Sequence, residues 1–144
     1  MKIGAKVSIE LGGYLVIAGL QKQLDHLLKE LPKIDKYPFQ IPFHSAFHTE
    51  LLEKIPSLAE SKLDRALFSK PNIHLIDGRG KIWSPWSTNV NELYSYTLNH
   101  QVIKKYNFSS SVSVALKEFC PDHVVLLGPG NSLGAPVAQI LINQ

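Results

Sequence analysis

The chain has 144 residues, 44% of them hydrophobic and 19% charged, which suits one soluble domain or one and a fraction. A net charge of +3, with scattered lysines and no run longer than Lys104-Lys105, excludes the basic stripe of a nucleic-acid binder. One cysteine, Cys120, excludes an internal disulfide and fits a reducing cytoplasm, and no apolar run reaches membrane-spanning length or forms a signal peptide.

In chain order, Val7 to Leu11 alternates, Gly12-Gly13 turns, and Tyr14 to Ala18 is rich in β-formers. The pattern predicts a hairpin on a tight glycine turn, or a loop feeding one strand. Leu20, Leu24, Leu27, Leu28 and Leu31 then recur at helical spacing, and Pro32 ends that helix. Lys33 to Ile41 reads as a return strand. Leu51, Leu52, Ile55, Leu58 and Leu63 predict an amphipathic helix that Pro56 kinks or splits in two. Ile73 to Ile76 is a strand stopped by Asp77-Gly78-Arg79-Gly80, with a short return strand from Lys81 to Pro85. Trp83 and Trp86 are expected to cover an apolar edge. Asn89 or Asn91 caps a helix through Leu93, Tyr94, Tyr96, Thr97 and Leu98, and a second helix runs from about Ser109 to Phe119. Cys120, at its end, is expected to be a buried small hydrophobe. His123 to Leu127 reads as a buried strand, Gly128 to Ser132 as a turn, and Leu133 to Ile142 as a closing helix. This alternation predicts α/β architecture with a mostly parallel sheet.

Four motifs bear on chemistry. Ile41-Pro42-Phe43-His44-Ser45-Ala46-Phe47-His48 places a histidine where a strand gives way to a helix. His44 there is either a general base awaiting a partner from another turn, or a half-buried histidine that satisfies a loop carbonyl. His44 and His48 are four residues apart, a metal-sharing spacing, but no Glu lies between them and no third ligand is evident, so no metal is expected. His48 is placed in the first helical turn, facing solvent or the cleft. Gly128-Pro129-Gly130-Asn131-Ser132-Leu133-Gly134 lies between strand and helix, as a phosphate loop does. Pro129 lacks the needed N–H and no acidic residue follows at ribose distance, so a structural turn is the better reading. Ser132 fits Gly-x-Ser-x-Gly as letters, although it follows His44 in the chain where a hydrolase nucleophile normally precedes its histidine. Asp77 ends a strand, where it either orients a histidine or forms a turn; the turn is the expected role.

Three segments together carry a resemblance. Gly13-Tyr14-Leu15-Val16-Ile17-Ala18-Gly19, followed by a leucine-rich helix, resembles the Q-V-V-I-A-G segment of malonyl-CoA:acyl carrier protein transacylases. Pro42-Phe43-His44-Ser45-Ala46-Phe47-His48 resembles that family's catalytic-histidine segment, and Val125 to Leu133 is similar to its E-V-G-P-G-x-x-L. The order and separations match over most of the chain, roughly Val7 to Ile142. His48 in place of a common Met, and Leu126 or Leu127 where Glu is common, mark a divergent member.

The resemblance implies an α/β fold. Residues 1–40 would be part of a ferredoxin-like small subdomain and residues 41–144 the C-terminal part of a hydrolase-like acyltransferase core. It implies His44 as general base and aligns Asn107 with a Gln that orients it. The substrates would be a coenzyme A thioester and the phosphopantetheine thiol of an acyl carrier protein, in fatty acid or polyketide synthesis, with no further cofactor. The family's serine nucleophile, oxyanion-hole loop and malonyl-binding arginine have no counterparts here, so the chain alone is expected to be inactive. The alternative is a non-catalytic piece that docks a carrier protein or pairs in trans with a separate N-terminal half. Neither nucleic acid nor membrane is an expected partner.

Overall fold

The computed structural model describes residues 4–143. Its first unit is the hairpin that the alternation predicts. β1 (Lys6–Leu11) and β2 (Tyr14–Ala18) pair antiparallel, with Leu11 opposite Tyr14 across Gly12-Gly13. Gly12 takes φ +63, and a Cβ there would come within 2.4 Å of the Pro136 carbonyl oxygen, so glycine is needed both for the turn and for the close approach of the C-terminal helix. The predicted leucine helix is α1 (Gln21–Glu30), whose first turn is tied by Leu20 N–H donating to Gln23 Oε1 at 2.8 Å.

Lys33 to Ile41 is not the predicted strand. A single bridge pairs Ile34 with Tyr37, and the rest is turn and coil. Pro32, Pro38 and Pro42 each remove a ladder donor, and Asp35 turns the chain at φ 53. The apolar side chains gather instead as rings, with Tyr37 lying 5.3 Å from Tyr14 and 5.5 Å from Phe39.

The helix expected over Leu51 to Leu63 is split as Pro56 dictates, into a 3₁₀ turn (Glu50–Leu52) and α2 (Ile55–Lys62), with the proline in the first turn of α2 where its missing N–H costs nothing. β3 (Leu75–Ile76) and β4 (Ile82–Trp83) form a short antiparallel hairpin around the Asp77 turn. Asn89 caps α3 (Val90–Ser95) by accepting from the N–H groups of Asn91 and Glu92. The helix then passes through a π turn (Tyr96–His100) into α4 (Gln101–Ile103). β5 (Tyr106–Asn107) adds to β1 in parallel, Ile9 opposite Tyr106, giving the strand order β2-β1-β5. α5 (Phe108–Phe119) and α6 (Gly134–Ile142) complete the chain and pack on each other.

The architecture is mixed α/β, with further corrections. The sheet is not mostly parallel: among the described residues the one parallel pairing is the short β1–β5 contact, and both hairpins are antiparallel. Residues 123–127 are not a buried strand but exposed coil, because no neighbouring strand offers them a ladder. Cys120 is likewise exposed rather than buried; it ends α5 in the left-handed conformation, at φ 42. Trp83 is buried as expected, whereas Trp86 stands exposed, edge-on to the His74 ring. Among the described residues the buried apolar side chains include Ala18 on β2, Trp83 on β4, Tyr94, Tyr96 and Leu98 along α3 and the π turn, and Val137 and Ile140 on α6. No helix among the described residues is long and apolar enough to cross a membrane.

Candidate functional site

The His44 stretch leaves the irregular proline-rich segment and enters the 3₁₀ turn. Its anchors are all downstream of His44. Ser8 Oγ donates to the Phe47 carbonyl at 2.8 Å, Thr49 Oγ1 to the Ala46 carbonyl at 2.7 Å, and His48 N–H to the Val102 carbonyl at 2.9 Å. The His44 ring is exposed, with Nδ1 3.2 Å from the Pro42 carbonyl. A carbonyl only accepts, so in this contact Nδ1 is the donor, which leaves Nε2 free of it. That is the loop-carbonyl arrangement with the ring in solvent rather than half-buried, and it is also the tautomer a general base requires.

His48 is not in a helical turn. It takes φ 59 ahead of the 3₁₀ helix, its Nδ1 donates to the Gln101 carbonyl at 2.5 Å, and its half-buried ring lies 5.3 Å from that of Tyr106. The two histidines of the stretch are thus held differently, and among the described residues no three His, Cys, Asp or Glu side chains group as metal ligands. Asn107, which the resemblance aligns with an orienting Gln, makes no hydrogen bond to His44. Its Oδ1 accepts from Ser110 N–H at 2.8 Å as the N-cap of α5. Ser132 is exposed on the turn before α6, within a loop that leaves open space around Gly130 and Gly134.

The most highly organised polar site lies elsewhere, at the Asp77 turn. The Asp77 side chain is 3% exposed and that of Arg79 38%. Oδ1 accepts from the N–H groups of Arg79 and Lys81 at 2.8 and 3.1 Å. Oδ2 accepts from Trp83 Nε1 at 3.1 Å and from Arg79 Nε and Nη2 at 3.1 and 2.6 Å. Burial pushes this carboxyl up, but the Arg79 side chain, the two backbone N–H groups and the Arg79 charge together hold it below the ordinary range. The turn is clamped from outside as well: Gly78 N–H donates to Tyr96 Oη at 2.9 Å, and Ser111 Oγ donates to the Asp77 carbonyl at 2.7 Å. A Cβ on Gly78 would lie 2.4 Å from the Tyr106 ring, so the glycine admits that ring beside the turn.

Over this turn the π turn presents Tyr96 and His100. The Arg79 guanidinium carbon lies 4.3 Å from the centroid of the Tyr96 ring, and His100 stacks on the same ring at 5.6 Å and 27°. Burial raises the Tyr96 phenol to about 12, with the Asp77 charge acting the same way against the Gly78 hydrogen bond. Burial, then the Arg79 charge, pushes the His100 imidazole down, with Asp77 opposing and Lys104 assisting. The two side chains are therefore neutral at pH 7. Lys81 Nζ lies 4.0 Å from the centroid of the Trp83 ring and pairs with Glu92 at 2.8 Å.

Arg79, Tyr96 and His100 carry no motif, and reading the sequence for motifs passes them by. The signal that was present is Tyr96 and His100 at helical spacing after a strand-ending Asp-Gly-Arg-Gly turn, which brings one face of a helix over that turn. Compared with family models, with curated proteins and with solved structures, the chain matches none of them.

Proposed function

We propose that this chain supplies the general base of an acyl transfer from coenzyme A to an acyl carrier protein, with His44 as that base and a serine nucleophile that is not among these 144 residues. The observation that carries the reading is His44 itself: an exposed imidazole whose Nδ1 is tied to the Pro42 carbonyl, within the segment that resembles the family's catalytic-histidine motif. The chemistry is two-step. The serine hydroxyl gives its proton to His44 Nε2 as it attacks the thioester, the imidazolium protonates the departing coenzyme A thiolate, and the sequence repeats with the carrier thiol as acceptor. The Asn107 acceptor oxygen caps α5, so the orienting contact in this scheme is the Pro42 carbonyl on His44 Nδ1.

A second reading, a non-catalytic docking piece, draws support from Val124 to Leu127, which lie exposed without a strand beside them. One experiment separates the two. The chain is mixed with a second polypeptide bearing Gly-His-Ser-x-Gly, and transfer from malonyl-CoA to the carrier protein is followed. The catalytic reading expects no transfer by the chain alone, transfer by the pair, and a loss of about a thousandfold in His44→Ala. Complex formation without turnover supports docking alone. Acylation of the isolated chain at Ser132 would overturn both.

A further inference from the structure

The Asp77 turn does more than close a hairpin. It holds a guanidinium at the edge of a pocket of ≈ 420 Å³ lined by Arg79, Lys81, Trp83, Glu92, Tyr96 and His100. We propose that this pocket binds a small oxyanion, a phosphate or a carboxylate, through Arg79, Lys81 and His100, with Glu92 as the group it displaces.

Three observations converge on this. The first is that Arg79 is fixed before any ligand arrives. Two of its nitrogens, Nε and Nη2, converge on one oxygen of a buried carboxylate, and its plane rests on Tyr96. Nη1 is not used in that fork, and the side chain as a whole is 38% exposed. An arginine immobilised by a buried acid loses little rotamer freedom when it binds an anion, which is the preorganisation such sites use. The second is that the pocket already contains a carboxylate. Glu92 Oε2 sits 2.8 Å from Lys81 Nζ, yet both side chains are largely exposed, and exposed pairs of this kind exchange readily. An incoming anion that hydrogen-bonds Arg79 as well as Lys81 engages two cations directly, where Glu92 is bonded to Lys81 and feels Arg79 only through its charge. The third is the π turn, the helical irregularity that most often marks functional sites, which places His100 on the pocket wall as a neutral donor. The aromatic rings here are buried and offer no open face, so the ligand is held by its anionic group rather than by stacking. This site stands independently of His44.

The test is a titration of the full chain, at fixed ionic strength, with inorganic phosphate and separately with acetate, following backbone amide shifts by NMR. Saturable shifts at Arg79, Lys81 and His100 are expected, and the tighter of the two ions tells a phosphate ligand from a carboxylate one. Arg79→Ala removes the partner of a buried acid and can unfold the turn, so the decision rests on two exposed positions. Lys81→Gln is expected to weaken binding about tenfold, and Glu92→Gln to tighten it severalfold. No saturable shift with either ion up to about 20 mM, or equal affinities in wild type, Lys81→Gln and Glu92→Gln, would overturn the proposal.

Discussion

The Asp77 turn, hydrogen-bonded to the start of α5, and the segment from Pro121 to Leu133, which follows the end of α5, are built on opposite terms. The turn is polar, yet its acid is almost wholly buried; the segment carries Val124-Val125-Leu126-Leu127, yet every residue from Pro121 to Leu133 is exposed. The difference lies in the backbone. Asp77 gathers five donors onto its two oxygens and so fixes the turn from within. Residues 123–127 make no hydrogen bond to another described residue, and apolar side chains alone do not hold an extended chain against the sheet. Hydrophobicity decides what is worth burying; paired backbone groups decide whether it is buried.

The sharpest way to break this contrast is to remove the acid. Asp77→Ala strands the Trp83 indole N–H and two backbone N–H groups, and it leaves Arg79 without its counter-charge. The expected loss is about 3 kcal/mol, read from the midpoint of chemical denaturation. The pH dependence has a definite sign. The folded carboxyl lies below its ordinary value of 3.8, so its stabilisation is complete above that value and is lost as pH falls through the lower, folded one. Asp77→Asn should flatten that acid limb; an unchanged acid limb would show that the carboxylate is not what holds the turn.

Tyr96→Phe is the next step down. It removes the acceptor of the buried Gly78 N–H while keeping the ring beneath Arg79, and about 1–2 kcal/mol should be lost. Amide exchange at Gly78 should accelerate with it. If stability holds and Gly78 remains protected, the ring rather than the hydroxyl is the clamp.

Legibility followed the same division. The glycine hairpin, the leucine helix, the split at Pro56 and the Asn89 cap could all be read because each rests on residues within a few positions of one another. The failures were non-local. Residues 33–41 and 123–127 have strand composition, but a strand exists only against a neighbour, and composition does not supply one. The β1–β5 pairing joins residues nearly a hundred positions apart and left no mark in either segment. At the candidate site, His44 was visible because it belongs to a pattern. The Arg79–Tyr96–His100 group was not, since it depends on a helix crossing a turn and on a π turn that no simple period announces.

Asn107 tests a smaller claim about role. As an N-cap its loss in Asn107→Ala should cost about 1 kcal/mol and shorten α5 at its start. As a partner of His44 its loss should shift the titration of that imidazole, which NMR reads directly. A stable α5 with a displaced His44 titration would restore the orienting role that the capping geometry gives to the helix instead.

The smallest effect belongs to the exposed segment, and its smallness is the point. Val125 and Leu127 are 76% and 83% exposed, so Val125→Lys with Leu127→Lys removes little that folding has buried. Stability should stay within about 0.5 kcal/mol of wild type, in contrast to the single atom-for-atom change at Asp77→Asn. Association is where the pair should register. Exposed β-branched and leucine side chains on an extended, unpaired backbone are a template for another chain, and two lysines are the device by which natural edges refuse one. Sedimentation of wild type should therefore show concentration-dependent association that the double variant lacks. A loss of 2 kcal/mol or more in the double variant would mean that the segment packs against the domain in solution, and the contrast with the Asp77 turn would fall with it.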